Sequence, residues 1–456
     1  VRVLHYSDVE NAYDDPGRIG RLAGLIDDRR AADTLVVGTG DNTAPGVLSL
    51  VTEGEQALDF FDAVRPDAET FGNHDFDYGL ERTEELVAAS PQPWVSVNIE
   101  LDGEPFGRDV GVRDTLLEER DGERVGFFGV LDADTPALNP EAAGLTVTDP
   151  YAAAADAADR LRDAGADHVV ALSHLGRGDE ELALAADVDA VLGGHVHSER
   201  IEYVDDVLLT RPGVGGRVLL EIDFSGVRPT ATRHDVSEGP LDAALADRLR
   251  RRMRDADLTD VVARVDDPIE RTEATAFRGE SRVGNFVADA YRWAADADVG
   301  LQNSGGIREG HPLAGDVTIA DLVSVVPFDE AVAVAELTGE ELEALLEHAA
   351  GSTLGFGEAD WWHAHLSGAS VTWDAAQDEL VDLRVGGEAV APDETYTLAT
   401  TNYLFFSDEE FPVLDTDHRV AALDVQHEVL AAYAREHGID PEIEGRVVRR
   451  GVNDQI

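Results

Sequence analysis

Five apolar runs in the first half of the chain, Val1–Tyr6, Thr34–Val37, Ala68–Phe71, His168–Leu172 and Ala190–Leu192, each end at a short polar stretch. The runs are brief and continuous, the pattern of strands buried on both faces. The stretches that follow are Ser7-Asp8-Val9-Glu10, Gly40-Asp41-Asn42, Gly72-Asn73-His74-Asp75-Phe76-Asp77, Ser173-His174 and Gly193-Gly194-His195-Val196-His197. Open α/β sheets hold ligands beyond the carboxyl ends of their strands, so these carboxylates, amides and imidazoles stand where a site forms. Amphipathic helices are expected between the strands at Gly17–Arg29, Gln56–Val64, Glu81–Ala89 and Tyr151–Arg162, which makes this half a layered α/β domain.

The residue types point to a pair of divalent cations. Hydrolysing a phosphate ester at neutral pH needs a hydroxide and a means of neutralising charge that grows on the phosphoryl oxygens, and two cations about 3.5–4 Å apart supply both. Asp41, beyond the small Gly38-Thr39-Gly40 turn, is the natural carboxylate to bridge them, because glycines allow close approach. Asp8, His195 and His197 are further candidate ligands, and His174 with Asn73 would complete the second ion. Singly, each is better explained as a turn residue, a helix cap or a packed imidazole. Jointly, in this order and at these strand ends, they favour a metal site.

Charge narrows the partners. The 456 residues carry 93 acidic against 36 basic side chains, a formal net charge of -57, yet 43% are hydrophobic, which argues for a folded chain of two or three domains. Every basic residue apart from histidine is Arg and none is Lys, the balance expected of a protein that works in concentrated salt. At about 1 M salt the Debye length is roughly 3 Å, short enough to screen most self-repulsion. Such a surface repels duplex nucleic acid and anionic membranes. With no cysteine there are neither disulfides nor thiolate ligands, and no run of about 18 apolar residues marks a membrane span. Val1 enters the first strand directly, so a cytoplasmic protein is expected, or an exported one whose leader is absent from this chain.

The expected organisation is a catalytic domain over 1–236, a connecting helix within 237–269 and an α+β domain over 270–456. The connector is read as one charged helix, Leu241–Arg264, with Arg248, Arg250, Arg251 and Arg252 clustered on it. The last domain is expected to contain helices at Gly284–Ala295 and Thr338–Ala350 and strands at Val299–Leu301, near Ala369–Trp373 and near Tyr396–Thr400.

These motifs resemble the calcineurin-like metallophosphoesterases, and specifically their 5′-nucleotidase branch. In the second half, Phe277-Arg278-Gly279-Glu280, Gly284-Asn285-Phe286-Val287-Ala288-Asp289-Ala290, Asn303-Ser304-Gly305-Gly306-Ile307-Arg308 and Pro327-Phe328 resemble that branch's carboxyl-terminal substrate domain. The resemblance implies a four-layer sandwich of two sheets flanked by helices, followed by the α+β 5′-nucleotidase domain. It implies that Asp8, Asp41 and His197 bind one metal, and that Asp41, Asn73, His174 and His195 bind the other. His74 would stabilise the transition state or act as general acid, with Asp77 orienting its ring. It also implies a nucleotide substrate, brought to the metals by rotation of the second domain about the connecting helix.

One departure stands at the first strand, where Asp8-Val9-Glu10 replaces the family's Asp-x-His. Glu10 as a ligand is a hard oxygen donor and shifts preference toward manganese, with zinc, magnesium or cobalt as alternatives; otherwise Glu10 lies off the metal and the first site is weak or empty. Arg278 and Arg308 are the candidate phosphate or ribose anchors, supported by Asn303 and the Gly305 turn. Phe328 and Tyr403 are the candidate stacking faces for a base, and Asp408 or Glu409 the candidate for the ribose hydroxyls. The family's Gly-Gly-Asp-Gly-Phe turn is rebuilt here with acids, so this register is the least constrained transfer. Trp361 and Trp362 are read as packing or rim residues. Besides a 5′-nucleotidase, two readings stay open. One is a hydrolase of sulfur esters or other small esters on the same scaffold. The other is a nucleotide-binding protein whose turnover is impaired by Glu10. A nuclease is disfavoured because nothing basic tracks a strand. The sequence sets no oligomeric state.

Overall fold

The computed structural model describes residues 1–354, 358, 360–407 and 409–451. They form two compact units, Val1–Ala256 and Asp257–Ile456.

The first unit is built on two sheets. One has four strands in the order Thr230–Asp235, Val218–Asp223, Arg2–Tyr6 and Thr34–Gly38. The other has six, in the order Arg200–Val204, Val207–Arg211, Ala190–Gly193, His168–His174, Glu123–Leu131 and Leu116–Arg120. Its central four strands run parallel. Side chains on alternate positions explain the continuous apolar runs. Val170 and Leu172 face the inter-sheet core with Val3, Leu35, Val37 and Leu220, while Val169 and Ala171 face outward beneath Ala154, Ala158 and Leu161 of the helix Pro150–Asp163. On the other side the helix Pro16–Arg29 covers the four-stranded sheet, and the helix Ala243–Asp255 packs on it. The result is the expected four-layer order of helix, sheet, sheet and helix. Among the described residues no helix is long and apolar enough to cross a membrane.

Two expected elements differ. Residues Ala68–Phe71 do not make a ladder. Asp67 and Ala68 bond to Val36 and Gly38, whereas Glu69 turns to Pro93 and Val95, so only isolated bridges form. The segment is extended and buried, but it changes partner within one residue. The expected helix Leu241–Arg264 is shorter, spanning Ala243–Asp255. Asp242 caps it by accepting from the Ala244 and Leu245 amides. Asp257 then takes a left-handed φ of 55°, and Val261–Arg271 is a strand paired with Gly310–Thr318. The β-branched Val261, Val262 and Val265 decide this, because they lose side-chain freedom in a helix and fit a pleated ladder.

In the second unit the helix Arg282–Ala295 packs on a five-stranded sheet ordered Ala364–Ser367, Val299–Asn303, Thr395–Thr401, Ala331–Thr338 and Arg419–Val425. A smaller sheet contains Ala369–Asp374 and Glu379–Val385. The helix Gly339–Glu347 starts at Thr338, where Thr338 and Glu341 cap each other's backbone amides.

His5 joins the two sheets of the first unit. It is fully buried, with Nε2 2.9 Å from Thr39 Oγ1 and Nδ1 3.3 Å from Thr210 Oγ1. Burial lowers its pKa to about 3 from the ordinary 6.5. The folded value lies below the unfolded one, so the neutral ring's contribution is complete above pH 6.5 and is lost as pH falls toward 3. Denaturant unfolding measured across this window should show wild type losing on the order of 4 kcal/mol relative to His5→Gln, which has no charge to acquire. Parallel pH curves for the two proteins would refute this.

Candidate metal centre

The first unit brings its polar loops to one end of the sandwich. Asp41, His174 and His195 offer donor atoms that all lie within 4.8 Å of one another, and so do Asp8, Glu10 and His197. Asp8, Glu10, Asp41 and His174 are buried, whereas the His197 side chain is 53% exposed. Asp8, Glu10, Asp41 and His195 all hold left-handed backbones, with φ between 46° and 69°. Strained non-glycine residues of this kind concentrate at functional sites, where the surrounding structure enforces them.

Asp41 stands next to both groups. Its Oδ2 is 3.0 Å from His174 Nε2, its Oδ1 accepts from the His74 amide at 2.7 Å, and its own carbonyl accepts from the Glu10 amide at 3.2 Å. Burial alone would raise this carboxyl, but His174 and the His74 amide hold it down at about 2. Asp8 is pushed up by burial, and the neighbouring Asp41 and Glu10 carboxylates add to the push. Gly72 makes room for Asp41, since a Cβ there would lie 2.2 Å from Asp41 Oδ1.

The imidazoles are oriented as cation ligands require. His174 Nδ1 lies 2.7 Å from the Thr39 carbonyl, to which it can only donate, so Nε2 is the nitrogen that would offer a lone pair once it gives up its proton. His195 Nδ1 is 2.9 Å from Asn73 Oδ1, and its amide donates to Asp8 Oδ1 at 3.0 Å. His197 Nε2 is 3.0 Å from the buried Glu10 Oε1, and this contact raises the His197 pKa. Thus Asp8, Glu10, Asp41, Asn73, His174, His195 and His197 converge as two adjoining donor sets.

His74 lies beside them, half-buried, with Nδ1 3.0 Å from Asp77 Oδ2. Burial opposes its charge, but Asp77 and Asp41 raise its pKa to about 9. Asn139 Nδ2 donates both to the Asn73 carbonyl at 2.7 Å and to Asp77 Oδ1 at 3.0 Å, so one amide sets two residues of the motif. The sequence reading passed over Asn139, which comes from a distant loop.

It also gave no role to Asp75, although Asp75 lies within the Gly72–Asp77 motif. The buried Asp75 carboxylate accepts from the amides of Asp41, Asn42, Thr43 and Gly72 at 2.8–3.2 Å and from Thr43 Oγ1 at 2.7 Å. Its signal was a second acid beside a ligand-bearing Asn-His pair.

In the second unit, Asn303 and Tyr403 meet at Glu410, and Arg308 lies against Gly305 and Phe328. Asn303 Nδ2 donates to Glu410 Oε2 at 2.7 Å, His363 Nε2 meets the same oxygen at 2.6 Å, and Tyr403 donates to Oε1 at 3.2 Å. Arg308 donates to the Gly305 carbonyl at 3.3 Å and covers one face of Phe328 at 4.9 Å. Arg278 is exposed and follows Phe277, whose ring stacks on Trp361 at 4.0 Å. Trp362 is fully buried in the core. Asp408 lies outside the described residues. Glu410, not its neighbour Glu409, forms the hub of this cluster, and the register of the acidic turn could not be read from spacing alone.

Replacing Asp75 with Ala leaves four amides and a hydroxyl without their acceptor. Denaturant unfolding at fixed salt should show a loss of about 3–5 kcal/mol, with Asp75→Asn intermediate. A loss below about 1 kcal/mol in Asp75→Ala would show that water replaces the carboxylate.

Comparison with known proteins matches both halves. Residues 1–199 fit the calcineurin-like phosphoesterase family and residues 261–416 fit the 5′-nucleotidase C-terminal domain. The trifunctional nucleotide phosphoesterase protein YfkN of Bacillus subtilis (strain 168) is 24% identical across 98% of this chain, which spans only 35% of that protein. The 5′-nucleotidase of Homo sapiens is 24% identical, with 94% of this chain and 85% of the human protein covered. The crystal structure of the 5′-nucleotidase precursor from Thermus thermophilus superposes with a TM-score of 0.73 over 99% of both chains at 23% identity. The sheet order, the converging loops and both sequence matches agree: this chain belongs to the calcineurin-like phosphoesterases that carry a 5′-nucleotidase C-terminal domain.

Proposed function

We propose that this chain is a metal-dependent phosphoester hydrolase of the 5′-nucleotidase type, releasing phosphate from nucleoside phosphates. The observation that carries the reading is the pair of adjoining donor sets around Asp41, with His74 held beside them by Asp77. Two divalent cations bound there supply a hydroxide at neutral pH and neutralise charge that develops on the phosphoryl oxygens.

The residues present fit such ions. His174, His195 and His197 offer imidazole nitrogens, Asn73 an amide oxygen, and Asp8, Glu10 and Asp41 carboxylates, a set in which oxygen donors outnumber nitrogen. That weighting favours manganese or magnesium over zinc. Glu10 belongs in this set on its geometry, since its carboxylate lies with Asp8 and His197 and its Oε1 is 3.0 Å from His197 Nε2. This argues against a centre disabled by the loss of histidine.

His74 does the proton work in this reading. With Nδ1 engaged by Asp77, Nε2 is the atom left to donate to a phosphoryl or leaving-group oxygen. Asn139 keeps the pair aligned by holding Asp77 and the Asn73 carbonyl. In the second unit, Arg308 would anchor phosphate or ribose through its fork, and Glu410 would accept from the ribose hydroxyls with Asn303, His363 and Tyr403 fixing its orientation. Tyr403, exposed beside Glu410, is the remaining candidate to stack on a base.

The test is a substrate panel of AMP, ATP, a UDP-sugar and 2′,3′-cyclic nucleotides with manganese in molar salt. Phosphate release from AMP is expected. His74→Ala should lower turnover by about 10²–10⁴-fold while manganese binding persists. Full activity in that variant removes His74 from the mechanism. Glu410→Gln should raise KM for nucleotides about tenfold or more with little change for p-nitrophenyl phosphate, which has no ribose. Tight nucleotide binding without turnover would favour the binding-protein reading, and turnover confined to sulfur esters would favour that alternative.

A further inference from the structure

Beside the loops that carry the donors lies a buried ion pair whose hydrogen bonds go to the residues flanking the donors. Asp179 is fully buried and Arg211 nearly so, with Arg211 Nη2 2.9 Å from Asp179 Oδ2. Burying such a pair costs several kcal/mol of desolvation per ion, and well-packed apolar side chains in its place are often equally stable or more so. Stability alone therefore does not explain the pair.

The partners supply an explanation. Asp179 Oδ1 accepts from Ser173 Oγ at 2.6 Å, the residue before His174. Asp179 Oδ2 presses on Gly193, where an added Cβ would lie 2.4 Å away, at the end of the strand that leads to His195. Arg211 Nη2 also donates to the Gly176 carbonyl at 2.8 Å, and Nη1 reaches Ser198 Oγ at 3.4 Å, the residue after His197. Gly176 takes φ 58° and packs on the same loop, because a Cβ there would come within 3.0 Å of the His195 ring. One ion pair therefore ties the loop that carries His174 to both ends of the loop that carries His195 and His197.

We propose that the Asp179–Arg211 pair is a positioning element that sets the separation of the two donor sets, and so the spacing and affinity of the two cations. The proposal rests on the metal-centre reading given above. Asp179 and Arg211 act through the loops and contact neither substrate nor metal. The planar guanidinium is suited to this role, since Nη2 holds the Asp179 carboxylate and the Gly176 carbonyl while Nη1 reaches Ser198 from the same fixed plane, a spread that Lys cannot reproduce.

Manganese titration of the full chain, followed by electron paramagnetic resonance, separates positioning from stability. Wild type should bind two ions and give the exchange-coupled spectrum of a close pair. The double variant Asp179→Asn/Arg211→Gln keeps neutral hydrogen bonds across the same space. It should fold by circular dichroism, yet bind the second ion about 10–100-fold more weakly and show isolated manganese signals. Arg211→Lys, which keeps the charge and loses the fork, should fall between the two and carries the same test if the double variant does not fold. A folded variant with wild-type affinity and a wild-type coupled spectrum would overturn the proposal and leave the pair with a structural role alone. A wild-type chain with no coupled pair at saturating manganese would overturn the metal-centre reading itself, a result that depends on neither variant.

Discussion

The site rests on a carboxylate that is not one of its candidate ligands. Asp75 gathers the amides of Asp41, Asn42 and Thr43 from one loop and that of Gly72 from its own. Backbone amides buried without an acceptor cost about 1–3 kcal/mol each, so the two loops are stable only when locked together. That lock fixes Asp41 in its left-handed conformation and places Asn73 and His74 against it. Glu69 repeats the device one layer deeper, accepting from Tyr6 Oη and Asn42 Nδ2, each at 2.6 Å. Carboxylates facing the protein interior thus hold those that face the candidate cations.

This division decides what the sequence revealed. Strand ends followed by His, Asn and Asp are visible as pattern, and the Gly-Asn-His-Asp and Gly-Gly-His-Val-His stretches mark their own loops through residue types that a strand or helix would not choose. The supports were less legible. Asn139 and Arg211 come from distant segments, and an Asn before a proline or an Arg at a strand end has many ordinary explanations. Asp179 reads as the first acid of a helix, yet it sits at the centre of the loop anchor. The misread helix over 241–264 has a different cause. Its charged period is real as far as Asp255, and the valines that follow answer to the strand Gly310–Thr318, a partner about fifty residues away. Local periodicity carries no information about such pairing.

The acidic turn shows a third limit. Ser407, Asp408, Glu409 and Glu410 offer three neighbouring carboxylates, and which one enters the cluster depends on how a short loop leaves the 3-10 turn Asn402–Phe405. Glu410 is selected because Asn303 and His363 wait for it on neighbouring strand ends. A shift of one residue in such a loop redirects every side chain, and composition is blind to it.

Charge links the centre to the rest of the chain. Three carboxylates, Asp8, Glu10 and Asp41, lie buried within a few ångströms of one another in a protein whose formal net charge is already -57. Burial and mutual repulsion raise Asp8, and the protein supplies no Arg among the donor groups to offset this. Imidazolium forms of His174 and His197 relieve part of the repulsion in the absence of metal, which is why both rings are raised while they sit against Asp41 and Glu10. A divalent cation does the same work with more charge at shorter range and frees those protons. A cation held at this centre would therefore displace those protons. Salt screens exposed charges far more than buried ones, so the surface and the centre of this chain pose separate electrostatic problems.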